Sequence, residues 1–350
     1  MPLTPESLTD LITHGFDALI DVRSPSEYAE DHLPGAISLP VLSDGERARV
    51  GTIHTQVSPF SARKIGAALV ARNTAAHVET ALADHDGSWR PLVYCWRGGQ
   101  RSGAFALILR EIGWRAETIA GGYRAWRRLV KASLYDRSLP FRLVLLDGNT
   151  GTAKTALLQH LAAAGVQVLD LEGLAAHRGS MLGGTAAPQP AQTSFETALA
   201  TALVGLDPTR AVVVEAESSR IGRIVLPPAL WAAMCAAPRI EVAAPVTARA
   251  AYLAVAYGDV TADPARLASL LDVLRAHRGN KVVDRWQGLL GAGDWPELAH
   301  ALIVEHYDQS YATSRARYLP EIRARIELGD LSEQSLNEAS LQIAALVNSM

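Results

Sequence analysis

Short apolar runs alternate with stretches of helical period as far as Ala262, a pattern that predicts α/β layers. Ala18-Leu19-Ile20-Asp21-Val22 reads as a strand. Pro91-Leu92-Val93-Tyr94 reads as another and runs directly into Cys95. Beyond a Gly-containing loop, Phe105, Ile108, Leu109 and Ile112 recur at i, i+3, i+4, i+7, which predicts an amphipathic helix stopped by Gly113. A second unit of the same kind starts near residue 141. Leu143-Val144-Leu145-Leu146 predicts a strand, Asp147 to Thr155 a turn, and Leu157, Leu158 and Leu161 a helix ended by Gly165. Further strands are expected at Val166–Leu169, Ala211–Val214 and Ile240–Val242. Gly183 to Gln192 reads as an irregular loop. From Asp263 onward clear strands disappear, and the remainder reads as helices with breaks near Gly279, Gly288 and Gly291. The segmentation predicted is therefore 1–135, 141–262 and a helical region at 263–350 that contacts RNA.

Composition narrows the class without changing this picture. A chain of 350 residues has room for two or three domains at roughly 100–200 residues each. With 49% hydrophobic and 20% charged residues it is a globular chain, not a disordered one. A formal net charge of −3 excludes a globally basic nucleic-acid coat but allows a local basic patch. Two cysteines exclude a disulfide scaffold and a four-cysteine zinc site and suit a reducing compartment. The start MPLTPESLTDLITHG lacks the basic residues and apolar run of a signal peptide, and no stretch reaches about 18 apolar residues. A soluble cytoplasmic protein with no membrane contact is the expectation.

Cys95-Trp96-Arg97-Gly98-Gly99-Gln100-Arg101-Ser102 lies between a strand and a helix. A thiol at a helix N-terminus faces unpaired backbone N–H groups, and these favour the thiolate. Arg97 and Arg101 add positive charge, and Gly98 and Gly99 let the backbone curl into a nest of donors. The loop predicts a nucleophilic cysteine facing an oxyanion bowl. It suits sulfur or selenium transfer through a Cys-bound chalcogen, and equally phosphate ester cleavage through a phosphocysteine. A buried structural cysteine is the alternative, and Cys235, with none of these neighbours, is assigned to it.

Gly148 through Thr155 approaches the phosphate-loop pattern G-x-x-x-x-G-K-[ST], with Gly148, Lys154 and Thr155 in place and Gly151 as a second flexible point. Backbone N–H groups and the helix terminus would hold phosphate oxygens, and Lys154 would supply a point charge. Ala153 stands where the pattern has Gly. A left-handed backbone there would cost roughly 1 kcal/mol. Asp170 or Glu215 is the candidate acidic partner for a metal. The segment Arg110–Arg142 carries eight basic and three acidic residues with Tyr123, Trp126 and Tyr135 interleaved, and Arg266–Arg285 carries five basic and two acidic. Such stretches suit an RNA backbone with stacked bases, or a solvated helix face. Arg124, Arg127, Arg128, Arg178, Arg220 and Arg223 are the candidate phosphate contacts, with intramolecular ion pairs as the alternative.

Together these motifs resemble the bacterial tRNA 2-selenouridine synthases, which fuse a rhodanese domain to a phosphate-loop domain. Asp21-Val22-Arg23-Ser24-Pro25-Ser26-Glu27-Tyr28 with His32-Leu33-Pro34-Gly35-Ala36 is similar to a rhodanese opening, and Gly121-Gly122-Tyr123-Arg124-Ala125 to its close. The Cys95 to Ser102 loop carries the most specific likeness. His177-Arg178-Gly179-Ser180, Gln189-Pro190, Glu217-Ser218, Arg220-Ile221-Gly222 and His306-Tyr307-Asp308 are similar to later family blocks, although Ala153 and Ala216 depart from the Gly and the acid expected there. The resemblance implies an N-terminal rhodanese-like domain, a P-loop NTPase-like α/β domain and a helical C-terminal region. It implies a transferase that geranylates the wobble 2-thiouridine of tRNA with geranyl diphosphate, then replaces the geranylated sulfur with selenium from selenophosphate. In that reading Cys95 is the nucleophile or selenium carrier. Arg97, Gly98, Gly99 and Arg101 hold selenophosphate, and Gly148, Gly151, Lys154 and Thr155 hold the diphosphate. No residue set is assigned to a resident metal, and no cofactor beyond the two co-substrates is called for. The rival readings are a Cys-dependent phosphatase on a rhodanese scaffold and a non-catalytic tRNA- or nucleotide-binding protein.

Overall fold

The structure, a computed structural model, describes residues 1–180, 182–185, 187–311 and 321–350. They divide into two compact units, Met1–Asp136 with Ala191–Gly205 and Arg137–Pro190 with Leu206–Met350.

In the first unit, β1 (Ala18–Asp21), β2 (Ala36–Ser38), β3 (Pro91–Tyr94) and β4 (Glu117–Thr118) form a parallel sheet in the order β2-β1-β3-β4. Every residue of β3 is buried, as an apolar run in a doubly covered parallel strand should be. The chain leaves β1 toward one edge and β3 toward the other. A crevice at the carboxyl ends of these two strands follows from that switch, and Cys95 stands at its β3 side.

The helix after the Cys loop spans Gln100–Ile112 and ends at Gly113, whose φ of 110° only glycine adopts freely. Its buried residues are Ser102, Phe105, Ala106 and Leu109, while Ile112 is 50% exposed. The apolar periodicity over Phe105 to Ile112 therefore mistakes the face. The spacing i, i+3, i+4, i+7 is right, but it starts at Ser102, which is polar because it serves the cysteine. A helix at Gln192–Val204 also packs in this unit. Trp126 Nε1 donates to Thr197 Oγ1 at 3.1 Å, and Thr197 Oγ1 donates to Asp31 at 2.9 Å.

In the second unit, β5 (Arg142–Asp147), β6 (Gln167–Leu169), β7 (Ala211–Glu215), β10 (Arg239–Ala243) and β11 (Ile322–Glu327) form a parallel sheet in the order β11-β10-β5-β7-β6. A separate hairpin pairs β8 (Arg220–Ile221) with β9 (Ile224–Val225). β5 is central and lies at the switch between β7 and β10, so the loop after it opens into the crevice. Leu146, Leu157, Leu161, Val213, Ile240 and Ile343 share the core.

Two expectations for the C-terminal region need correction. It is helical except for β11, an edge strand whose Arg323, Arg325 and Glu327 hide its period-2 pattern. Gly288 and Gly291 do not break a helix. They lie inside Asn280–Ala292, which ends at Gly293. Burial of Val283, Trp286 and Leu290 outweighs the cost of about 1 kcal/mol that each interior glycine adds. Among the described residues no helix is long and apolar enough to cross a membrane.

Candidate functional site

Two glycine-shaped loops, one in each unit, carry the candidate residues and are the candidate anion cradles. In the first, Cys95 is buried, with 4% of its surface exposed. Ser102 Oγ donates to Cys95 Sγ at 3.3 Å. Burial pushes the thiol up, but hydrogen bonds from the Ser102 hydroxyl and from the Ser102 and Gly99 N–H groups, with the charge of Arg101, outweigh it. The thiol lies below its ordinary value.

The loop owes its shape to backbone packing. Tyr123 N–H donates to the Cys95 carbonyl at 2.9 Å, and Arg124 N–H to that of Trp96 at 3.1 Å, so the helix Gly122–Tyr135 begins on the loop. A Cβ at Gly98 would sit 2.2 Å from the Ile119 oxygen, and one at Gly122 would sit 2.2 Å from the Cys95 oxygen. Both glycines have positive φ. Gly99, with open space at its Cβ position, is the N-cap.

The cations differ. Arg97 is exposed. Arg101 forks onto Glu27, at 2.7 Å and 3.4 Å, and Glu27 also pairs with Arg47 at 3.0 Å. Trp96, 39% exposed, lies 5.2 Å from the Tyr123 ring, and both line a pocket with Arg23, Glu27, Arg124 and Arg127.

In the second cradle, Ala153 has φ 58° and ψ 30°, the left-handed conformation that the phosphate-loop pattern reserves for Gly. The helix Lys154–Ala163 starts immediately after it. Gly148 is required by contact, since a Cβ there would lie 2.7 Å from the Val242 oxygen. Gly151 has φ +86°, and a Cβ would touch the Arg249 oxygen and Leu253 Cγ, both at 3.0 Å.

Lys154 Nζ donates to the Gly148 carbonyl at 2.8 Å. Burial pushes this ammonium down, yet Tyr311, Glu217, Glu172 and Asp147 outweigh it and hold the group above its ordinary value, so it is charged at neutral pH. Thr155 Oγ1 donates to Glu172 at 3.1 Å, and Glu172 N–H donates to Glu215 at 2.7 Å. Burial, then the Glu172 charge, pushes Glu217 up to about 8, and burial pushes Glu172 up as well. Where an acid is expected at Ala216, acids stand on both sides of it, Glu215 and Glu217. Asp170 is spent on capping a short helix through Gly173 N–H at 2.7 Å. Thr150, Gly151, Lys154, Thr155, Glu172 and Arg178 line one cavity.

Comparison with known proteins matches a family profile to each of two stretches of the chain. The profile of the rhodanese-like domain matches residues 4–129, and that of the tRNA 2-selenouridine synthase AAA domain matches residues 141–269. The tRNA 2-selenouridine synthase of Psychromonas ingrahamii is 32% identical over 276 residues, covering 78% of this chain and 73% of the relative. This chain belongs to the tRNA 2-selenouridine synthase family. Enzymes of the same name from Nitrosomonas europaea (38% identical over 214 residues) and Aeromonas salmonicida (39% over 235) match 60% and 66% of this chain. Those alignments span 55% and 62% of the relatives' own lengths.

The family blocks beyond the two loops meet in space. A Cβ at Gly222, in the β8–β9 turn, would lie 2.3 Å from Gln189 Oε1 and 2.9 Å from His177. Asp308 of the late block accepts from Asn149 Nδ2 at 2.9 Å and from Arg249 at 2.6 Å and 3.0 Å. Arg249 in turn donates twice to the Thr150 carbonyl, at 2.9 Å and 2.8 Å. Sequence reasoning missed Arg249. Its signal was a lone buried arginine in the apolar run Val246–Ala256.

The six candidate RNA contacts fall three in each unit and differ in what they touch. Arg124, Arg128 and Arg220 are exposed. Arg127 takes the intramolecular alternative, pairing with Glu196 and, at 3.7 Å, with Asp31. Arg178 stacks over the Tyr257 ring at 4.6 Å in the cavity beside the Gly148–Thr155 loop. Arg223 binds the Gln189 and Pro190 carbonyls. In the stretch Arg266–Arg285, Arg275 pairs with Asp272 and Asp284, Arg285 with Glu305, and Arg278 binds His306 and Gln309. Arg275 and Arg285 are thus paired with carboxylates, while Arg278 is held by uncharged groups.

Proposed function

We propose that this chain is a tRNA 2-selenouridine synthase working in two steps, one at each cradle. The observation that carries the reading is the joint presence, in a chain of this family, of a low-lying thiol in a glycine-shaped loop and a charged Lys154 in a phosphate loop. The first step is geranylation of the wobble 2-thiouridine. A bond forms from C1 of geranyl diphosphate to the sulfur, and diphosphate leaves. Charge grows on the leaving oxygens, where Lys154 and the N–H groups from Gly148 to Thr155 stabilise it. The base loses its N3 proton on alkylation, and the Glu172 carboxylate in the cavity wall is a group that can take it.

The second step replaces sulfur with selenium. Alkylation turns the sulfur into a leaving group and makes C2 of the base more electrophilic. Selenophosphate supplies the selenium: it bonds to C2, geranyl thiol departs, and water cleaves the Se–P bond to release phosphate. Cys95 acts as nucleophile, its thiolate expelling geranyl thiol from C2 before selenium displaces it in turn, and Arg97, Gly98, Gly99 and Arg101 place the selenophosphate. Arg101 does so from a position fixed by Glu27. Arg124, Arg128 and Arg220 are the exposed cations best placed to take tRNA phosphates, with Trp96 as a stacking surface. The reading makes the chain a tRNA-modifying transferase of the cytoplasm.

Nucleoside mass spectrometry tests it. Protein incubated with thiolated tRNA and geranyl diphosphate is expected to add a geranyl mass to 2-thiouridine, and added selenophosphate is expected to convert that product to 2-selenouridine. Unchanged nucleoside, with hydrolysis of an aryl phosphate that Cys95→Ser abolishes, would replace the reading with the phosphatase.

A further inference from the structure

Beside the phosphate loop lies a cavity of different character. It is a narrow space, open on one side, rather than a closed chamber. Its wall is almost wholly hydrocarbon, from Leu182, Leu253, Leu267, Leu298, Ala299 and Leu302. These residues come from the helices Val246–Ala256, Pro264–Val273 and Trp295–Leu302 and from the loop before Gly183.

The cavity joins the phosphate cradle. Thr150, Leu253 and Tyr257 line both spaces. Leu253 is the neck residue, because only the absent side chain of Gly151 lets its Cγ approach the loop so closely, 3.0 Å from where a Cβ would lie. Arg249, one turn earlier on the same helix, is tied to the loop through Thr150. The ties that fix the loop thus also fix one wall of the cavity.

A nucleoside fits this geometry poorly. A base and ribose bring many hydrogen-bonding groups, and an apolar wall leaves them unpaired at a cost. A molecule with a phosphate head and a hydrocarbon tail satisfies both spaces. We infer that the cavity receives the hydrocarbon chain of a prenyl diphosphate whose phosphates lie on the Gly148–Thr155 loop. The inference rests on the geranyl-transfer reading and adds to it the space that measures chain length. Two of these helices, Pro264–Val273 and Trp295–Leu302, lie in the region that reads as RNA-contacting in the sequence and then serve the first step.

Titration calorimetry with inorganic diphosphate, dimethylallyl diphosphate and geranyl diphosphate tests this on the full chain. Wild type is expected to bind geranyl diphosphate about tenfold or more tighter than dimethylallyl diphosphate, since the longer chain buries more methylenes. Ala299→Phe and Ala254→Phe, both in the wall, are expected to erase that preference and leave inorganic diphosphate binding unchanged. Thermal midpoints confirm that each variant folds. If both folded variants keep the wild-type preference, the chain lies elsewhere. The cavity inference then falls while prenyl transfer stands. Equal affinity of wild type for all three ligands also overturns the inference. Loss of the geranyl mass on tRNA as well would take the underlying reading with it.

Discussion

The two cradles follow the same plan, a loop after a central parallel strand at a switch in sheet order, yet they tolerate sequence change differently. At the Cys loop, Gly98 and Gly122 interlock so tightly that a Cβ on either would lie 2.2 Å from a carbonyl oxygen. At the phosphate loop, Ala153 holds a left-handed backbone with its methyl group buried in the core. The first loop is constrained by close approach of backbones, the second at this position only by torsion. Close approach admits no side chain, whereas torsion costs about 1 kcal/mol and can be offset by packing.

The largest expected effects are kinetic and divide by unit. Cys95→Ala should lower selenium transfer on the order of a thousandfold or more and leave geranyl transfer intact. Lys154→Ala should lower geranyl transfer by about 10² to 10³, the usual loss of one preorganised charge at a leaving group. Product masses from single-turnover reactions read both. If Cys95→Ala lowers both steps equally, the division of labour is wrong.

Next comes the test of packing against torsion. Gly98→Ala should cost about 2 kcal/mol or more in unfolding free energy, because the Ile119 carbonyl cannot move without disturbing the sheet. Ala153→Gly should change stability by less than about 1 kcal/mol, since relief of torsion is offset by lost packing and a freer unfolded chain. Denaturant midpoints for the two variants should therefore differ widely. Similar midpoints would remove the contrast between the loops.

The smallest effect concerns pH. Glu217, ordinarily near 4.5, titrates near 8 in the fold. Between these values the folded chain holds a proton that the unfolded chain has released, so this group's contribution to stability falls as pH rises. Glu217→Gln should flatten the decline in unfolding free energy between about pH 5 and pH 8. A decline as steep as wild type would place the proton elsewhere.

How much of this was legible follows from what each feature depends on. β3 and β5 were readable because buried parallel strands are continuous apolar runs, and both loops because glycines, cations and a nucleophile fall at fixed spacings. Ser102 was hidden because it occupies an inward position that an apolar template skips. β11 was hidden because an edge strand carries charge. Arg249 and Asp308 clamp the phosphate loop across 59 residues of sequence, a pairing that only the fold reveals. The spending of Arg127, Arg275 and Arg285 on internal carboxylates was invisible for the same reason.

The central claim is that the two cradles serve consecutive steps on one base. It is tested most directly by supplying tRNA already geranylated at 2-thiouridine, with selenophosphate, to Lys154→Ala and to Cys95→Ala. The account predicts 2-selenouridine from the Lys154 variant at near the wild-type rate and none from the Cys95 variant. Failure of the Lys154 variant to convert this substrate, or full conversion by the Cys95 variant, would contradict it.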